Sequence, residues 1–591
     1  MPAVDPIAWL GRLVARFAAW ANRVGPNRVA YGVLALAYAI AAVLILVWGE
    51  GQTFINDEWN YLVNVRGFSP ETLVHPQNGH LILVPLLIYK ALFATVGADS
   101  HVPYQVVTVV LHLTVATLFF ALVRSRLPLA AAVALTVLVA FFGAGWDTVM
   151  GAYEIPNLTG MATGLAALLA LERRTAVGNV LACILLGLCL ASFSVGIAFA
   201  LGALFAIWLG GRAEWRRAWI VLVPAALYFV WFLWARKFGQ SEVTAEALSS
   251  LFSGMADQLA ALSAAITGLF RVPGNAELTD LIQVRPEWGY PLAILLGALG
   301  ALHVRRAPRS IRFWMVAGTL VIYLALVAAG LSPARAPNAS RYVYMGGILL
   351  LLLVVELGRD IRWSTTVGLI AAVFLALSLL ANVAELRVGG HLFSAEGETN
   401  RATLTALELS REHIDPSVAV EDGSETHSHP DMLFPAYAYF EAAEDFGSPA
   451  YNEAELVASG EQAREAADQE LVRVLGIAPQ PLRGRLASRG PAPKPLAESE
   501  GTVRRLGGCV VLRPEPGRTA SFQLELPPGG LAYATRPGTT LEVGLARFAE
   551  AFATPVPATF DRGEIAIPPD ASAVPWRAEI KTDGRALACR H

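Results

Sequence analysis

Eleven apolar stretches, at about 29–48, 103–123, 128–146, 157–171, 177–192, 195–210, 218–235, 290–304, 313–331, 342–357 and 363–384, constrain this chain more than any motif in it. Each approaches the length of helix that crosses a hydrocarbon core of about 30 Å. With 55% hydrophobic and only 16% charged residues, the chain is too apolar for a soluble multidomain protein. The expected fold class is mainly α, a polytopic transmembrane helical bundle of about eleven spans.

The arginines supply the register. If the first span runs outward, the short links at 124–126, 172–174, 212–217, 305–312 and 359–362 all face the cytoplasm, as the positive-inside rule demands. The agreement requires that the apolar segment at 81–96, which contains Lys90, does not cross but lies along the outer interface or re-enters. Residues 1–28 read as a cytoplasmic amphipathic helix, with Ile7, Leu10, Leu13, Val14 and Phe17 on one face and Arg12, Arg16 and Arg23 elsewhere. The net charge of -3 and the lack of a basic run exclude nucleic acid as an expected partner.

The same register places the polar links at 49–80, 145–157, 236–290 and 331–341 outside. The first carries Asp57 and Glu58 at its start and His75 and His80 at its end, interleaved with Trp59, Tyr61 and Asn78. Carboxylates beside imidazoles at a membrane surface suit the binding and deprotonation of a hydroxylated substrate. The second brings Asp147 and Glu154, and the fourth brings Arg335, Arg341, Tyr342 and Tyr344. An arginine at the outer start of a span can hold a lipid phosphate bidentately without losing its charge. Each residue also has a plainer reading: a solvated acidic loop for Asp57 and Glu58, loop packing for His75 and His80, and a snorkelling anchor for Arg341, Lys90 and Arg271.

A first span followed by an external loop opening with Asp57-Glu58, an interfacial helix, a second acidic loop and about eleven spans resembles the C-type (GT-C) glycosyltransferases. That group includes protein O-mannosyltransferases, oligosaccharyltransferases, aminoarabinose transferases and arabinofuranosyltransferases. The resemblance covers roughly residues 29–384. It implies transfer of a sugar from a polyprenyl-phosphate-linked donor to a glycan, lipid or protein acceptor on the outer face of the cytoplasmic membrane. It also implies a first-loop acid serving as base or acceptor-positioning group, here Asp57 with Glu58 as the alternative. The donor phosphate would meet Arg341, Tyr342, Tyr344, His75 and His80. Some members hold a divalent metal ion with second-loop acids; Asp147 and Glu154 occupy that loop without the tight acid-x-acid spacing, so metal or acceptor binding are both open for them. Two other classes compete, a transporter or flippase of envelope intermediates and a non-catalytic scaffold displaying an exterior domain. A transporter would be expected to show repeated halves and charges near the bilayer midplane.

Beyond 384 the composition turns polar. The expected domains are the catalytic bundle at 29–384, an exterior helical segment and linker at 385–500, with helices at 400–413 and 452–475, and an exterior β-rich domain at 501–591. In the last, 521–526 alternates strictly and Gly and Pro turns separate short runs, which reads as a small β-sandwich. Cys509 and Cys589 bracket it and would pair naturally in an oxidising exterior, whereas Cys183 and Cys189 fall in a span. His427, His429 and Asp431 imitate metal ligands but lack a third-ligand framework.

Overall fold

A computed structural model describes residues 23–239, 249–270, 284–306, 310–330, 336–358, 364–421, 432–484, 486, 491–553, 555–570 and 572–591. Residues 1–22, Arg271, Arg335 and the His427, His429 and Asp431 group lie outside these. The described residues form two compact units. One comprises residues up to Glu50, Val65–Thr95 and Val102–Phe393; the other comprises Gly51–Asn64, Val96–His101 and Ser394–His591.

The first unit is helical throughout. Its long elements are α1 (Pro26–Trp48), α2 (Leu83–Val96), α3 (Val102–Val123), α4 (Leu129–Ala140), α5 (Ile155–Glu172), α6 (Ala176–Leu190), α7 (Val195–Leu209), α8 (Trp219–Ala235), α9 (Leu251–Thr267), α10 (Gly289–Arg306), α11 (Ile311–Ala329), α12 (Ser340–Gly358) and the residues up to Phe393 of α13 (Thr365–Ser410). Among the described residues eight helices are long and apolar enough to cross a membrane. Three stretches that the hydropathy pattern predicts as spans fold as shorter apolar helices, Ala176–Leu190, Val195–Leu209 and Gly289–Leu302. The multi-pass membrane character is therefore plain.

Contacts at both ends of the bundle bear on the arginine register. Gln105 at the start of α3 donates to the carbonyl of Gly49 at 2.9 Å, and Arg124 at its end donates to the Tyr31 hydroxyl at 2.8 Å. Thus α1 and α3 are antiparallel, and the chain re-enters α3 at the end where it left α1. The intervening α2 has 14 residues, about 21 Å at helical rise, too short to span. It is tied instead to loops: Tyr89 donates to Ala152 O at 2.7 Å, and Lys90 donates to the carbonyls of Val65 and Gly67, both at 2.6 Å. Lys90 is thus buried and engaged rather than snorkelling. At the other end of the bundle Arg126 pairs with Glu356, Arg312 with Glu172 and Glu356, and Arg174 and Arg217 with Glu214. The basic links at 124–126, 172–174 and 212–217, together with Arg312, therefore gather at one end.

The links that the arginine register places outside are folded. In the segment at 145–157 every residue is buried, with the short helix Trp146–Met150 and the 3-10 turn Ala152–Glu154. The link at 236–290 contains α9, whose residues Ala260–Ala265 are buried. The change of composition at 385 is not a change of structure, because α13 runs unbroken for 46 residues and absorbs most of the helix expected at 400–413. Hydropathy reports surroundings, whereas the 385–410 stretch remains rich in helix formers and free of proline. Within it Gly389 and Gly390 permit close approach: a Cβ at Gly390 would sit 2.5 Å from the carbonyl oxygen of Trp48. The single helix expected at 452–475 is broken at Ser459-Gly460 into Glu453–Ala458 and Glu461–Val474.

The second unit ends in two antiparallel sheets. The six-stranded sheet orders Gln480–Pro481, Arg562–Ala566, Gly530–Thr535, Ala586–Arg590, Cys509–Pro514 and Gly501–Leu506; the five-stranded sheet orders Val556–Pro557, Leu541–Ala546, Arg577–Thr582, Ala520–Glu525 and Lys494–Ser499. Period-two alternation sends Ala520, Phe522 and Leu524 inward, opposite Thr582, Ile580 and Ala578. These join Val510, Leu512, Leu531 and Ala588 of the other sheet in one core, which also takes Ala402, Ala406 and Leu471 from the helices. Cys509 and Cys589 are directly opposed in register and joined by a disulfide.

Candidate functional site

Asp147, Glu154 and Arg341 meet at one end of the first unit, opposite the Arg312–Glu356 end. Asp147 lies in the helix that closes the α4 span, Glu154 just before α5, and Arg341 in the first turn of α12. Hydrogen bonds fix the three backbones to one another. Ser340 Oγ donates to Ala144 O at 3.0 Å and accepts the amide of Asp147 at 3.2 Å, while Thr148 Oγ1 lies 3.2 Å from Glu154 Oε2 and 3.3 Å from the carbonyl of Arg341. Tyr153 donates to Asp147 Oδ1, and Asn157 donates to Glu154 Oε2 at 2.5 Å. Both carboxylates are buried, at 6% and 4% exposure. The Arg341 guanidinium interacts electrostatically with both and lies 5.2 Å from the Tyr342 ring centroid. Two acids thus lie in the electrostatic neighbourhood of one guanidinium at the end of spanning helices.

Among the described residues no three His, Cys, Asp or Glu side chains come together as a metal site.

The remaining candidates fall elsewhere. Tyr344 is fully buried, its hydroxyl 2.8 Å from His112 Nδ1, so it joins α12 to α3 within the helix packing. Tyr342 is half-buried, and its carbonyl accepts the Tyr323 hydroxyl at 2.9 Å. His75 packs on Phe238 at 4.5 Å between centroids. His80 lies on Phe193 at 4.3 Å, with Nδ1 2.6 Å from Ser194 Oγ. A tight turn through Asn78 and Gly79, at φ 48° and 79°, presents His80.

In the second unit, Asp57 and Glu58 occupy a single helical turn, Asp57–Trp59, followed by the π-turn Asn60–Asn64. The two acids are not equivalent. Glu58 is fully buried; Oε2 accepts the Ile55 amide at 3.2 Å, and His101 Nε2 lies 3.1 and 3.2 Å from its two oxygens. Asp57 is half-exposed. Sequence reasoning does not single out His101, because a lone histidine before a span carries no motif.

No family model and no curated protein sequence matches the chain. Comparison with solved structures finds ArnT from Cupriavidus metallidurans bound to undecaprenyl phosphate, at 14% identity and a TM-score of 0.40, covering 66% of this chain and 82% of that one. It also finds the Archaeoglobus fulgidus oligosaccharyltransferase at 11% identity and a TM-score of 0.41, covering 76% and 68%. A third is the arabinosyltransferase EmbB from Mycobacterium smegmatis, at 13% identity and a TM-score of 0.35, covering 94% of this chain and 64% of that one. The chain is a polytopic membrane protein.

Proposed function

We propose that this protein is a membrane glycosyltransferase that moves a sugar from a polyprenyl-phosphate carrier to a glycan, lipid or protein acceptor on the outer face of the cytoplasmic membrane. The observation that carries the reading is Arg341, in the first turn of a spanning helix, with Asp147 and Glu154 in its electrostatic neighbourhood. A guanidinium held at the edge of the hydrocarbon is a preorganised partner for the phosphate that becomes the leaving group, and its attraction grows as charge develops there. The Asp57 carboxylate takes the proton from the acceptor hydroxyl as that oxygen attacks the anomeric carbon and the carbon–phosphate oxygen bond breaks. Burial of Glu58 against His101 supports Asp57 over Glu58 for this role.

The test separates binding from turnover in purified protein, using undecaprenyl phosphate as the binding probe and radiolabelled undecaprenyl-phosphate hexoses and pentoses as donors. Asp57→Asn should lose about a hundred- to ten-thousandfold in turnover with carrier binding retained. Arg341→Ala should weaken carrier binding as well. Full turnover in Asp57→Asn removes Asp57 as the base, and unchanged binding in Arg341→Ala removes the phosphate assignment.

A further inference from the structure

We propose that His101 is a positioning residue for Asp57, acting through Glu58; this rests on the reading of Asp57 as the base. The loop that presents Asp57 is strained. Asn56, immediately before it, has φ 51° and ψ −128°, a conformation that non-glycine residues rarely adopt and that persists only when its surroundings impose it. Glu58 braces the turn around it. Its backbone amide donates to Ile55 O at 3.1 Å while its own Oε2 reaches back to the Ile55 amide at 3.2 Å, so residues 55 and 58 are tied on both sides of Asn56.

A carboxylate used in this way must itself be held. A carboxylate oxygen can only accept, so the His101 nitrogen facing it carries the proton, and it meets both oxygens. The side chains are 3% and 0% exposed, so water offers no substitute partner. Aromatic rings close the surroundings: Phe54 stands edge-on to His101 at 5.0 Å and to Trp59 at 5.9 Å, and Trp59 packs on Phe434 at 5.1 Å. Removal of the imidazole leaves a buried carboxylate with one donor fewer, which favours turning Glu58 out and releasing Asn56 to an ordinary conformation. Asp57 then loses its aim, and a carboxylate displaced by about 1 Å costs on the order of a hundredfold in rate.

The experiment compares the full-length wild type with His101→Leu, His101→Gln and Glu58→Gln. In His101→Gln the amide nitrogen replaces the imidazole N–H. The first readout is hydrogen exchange of the peptide covering residues 54–64, which needs no substrate. Exchange should rise about tenfold or more in His101→Leu and Glu58→Gln and return toward wild type in His101→Gln. The second readout is transfer from the same donor panel: kcat should fall about tenfold or more in His101→Leu at a KM for donor within about twofold, with recovery in His101→Gln. Wild-type protection of residues 54–64 in both His101→Leu and Glu58→Gln overturns the proposal, as does a rise in KM at constant kcat. If the wild type transfers no sugar from any donor, the glycosyltransferase reading fails, and the exchange data alone still decide whether His101 holds the loop.

Discussion

Arg312 Nε lies 2.9 Å from Glu356 Oε1, and the two side chains are only 5% and 1% exposed. Arg312 also pairs with Glu172 at 3.0 Å, and Arg126 reaches Glu356 at 3.0 Å. One network thus ties the α3–α4 link and the α5, α11 and α12 helices at the end remote from Arg341. Removal of one member strands a buried charge. Glu356→Ala should cost about 3–5 kcal/mol, whereas the double change Arg312→Met with Glu356→Leu should cost less than either single change. Thermal unfolding in detergent measures both, and simple additivity would contradict the coupling.

Close approach of α13 to α1 makes a second prediction. Gly390→Ala places a methyl group 2.5 Å from a backbone carbonyl that cannot swing aside, and should destabilise by about 1–3 kcal/mol. Gly368→Ala in the same helix meets nothing within 4 Å and should raise stability slightly, by up to about 1 kcal/mol. Equal shifts in melting temperature for the two variants would show that α13 does not pack on Trp48 in this way.

In the β-rich region, burial alone would push the Asp570 carboxyl up, but two hydrogen bonds from Arg547, at 2.5 and 2.8 Å, and its charge hold it below the ordinary value of 3.8. A carboxyl depressed in the folded state contributes stability above its unfolded value and loses it as pH falls through the folded value. The stability difference between wild type and Asp570→Asn should be full near neutrality and shrink as pH falls below about 4. A difference independent of pH from 7 to 2 would show that the Arg547 pairing is not ionic.

Orientation can be checked independently. Reporter fusions after Arg212 and at the C-terminus should report opposite sides, the first cytoplasmic and the second exterior, because the Arg212 link belongs to the basic end of the bundle. Intact pairing of Cys509 and Cys589 in isolated membranes is expected on the same grounds. Both reporters on one side would refute the register.

Hydrophobic runs determined by themselves the helical class, the apolar helices long enough to cross a membrane and the strands near the C-terminus, because each follows from local period and from the cost of carrying charge or unpaired backbone through hydrocarbon. The acids and Arg341 were legible as residue types at helix ends. What only the tertiary structure decided is which of them are spoken for: Glu58 by His101, 43 residues away; Tyr344 by His112, 232 residues away; and Lys90 by the carbonyls of Val65 and Gly67. Such pairings cross elements whose separation in sequence carries no period, and their energy depends on burial, which a linear pattern does not contain.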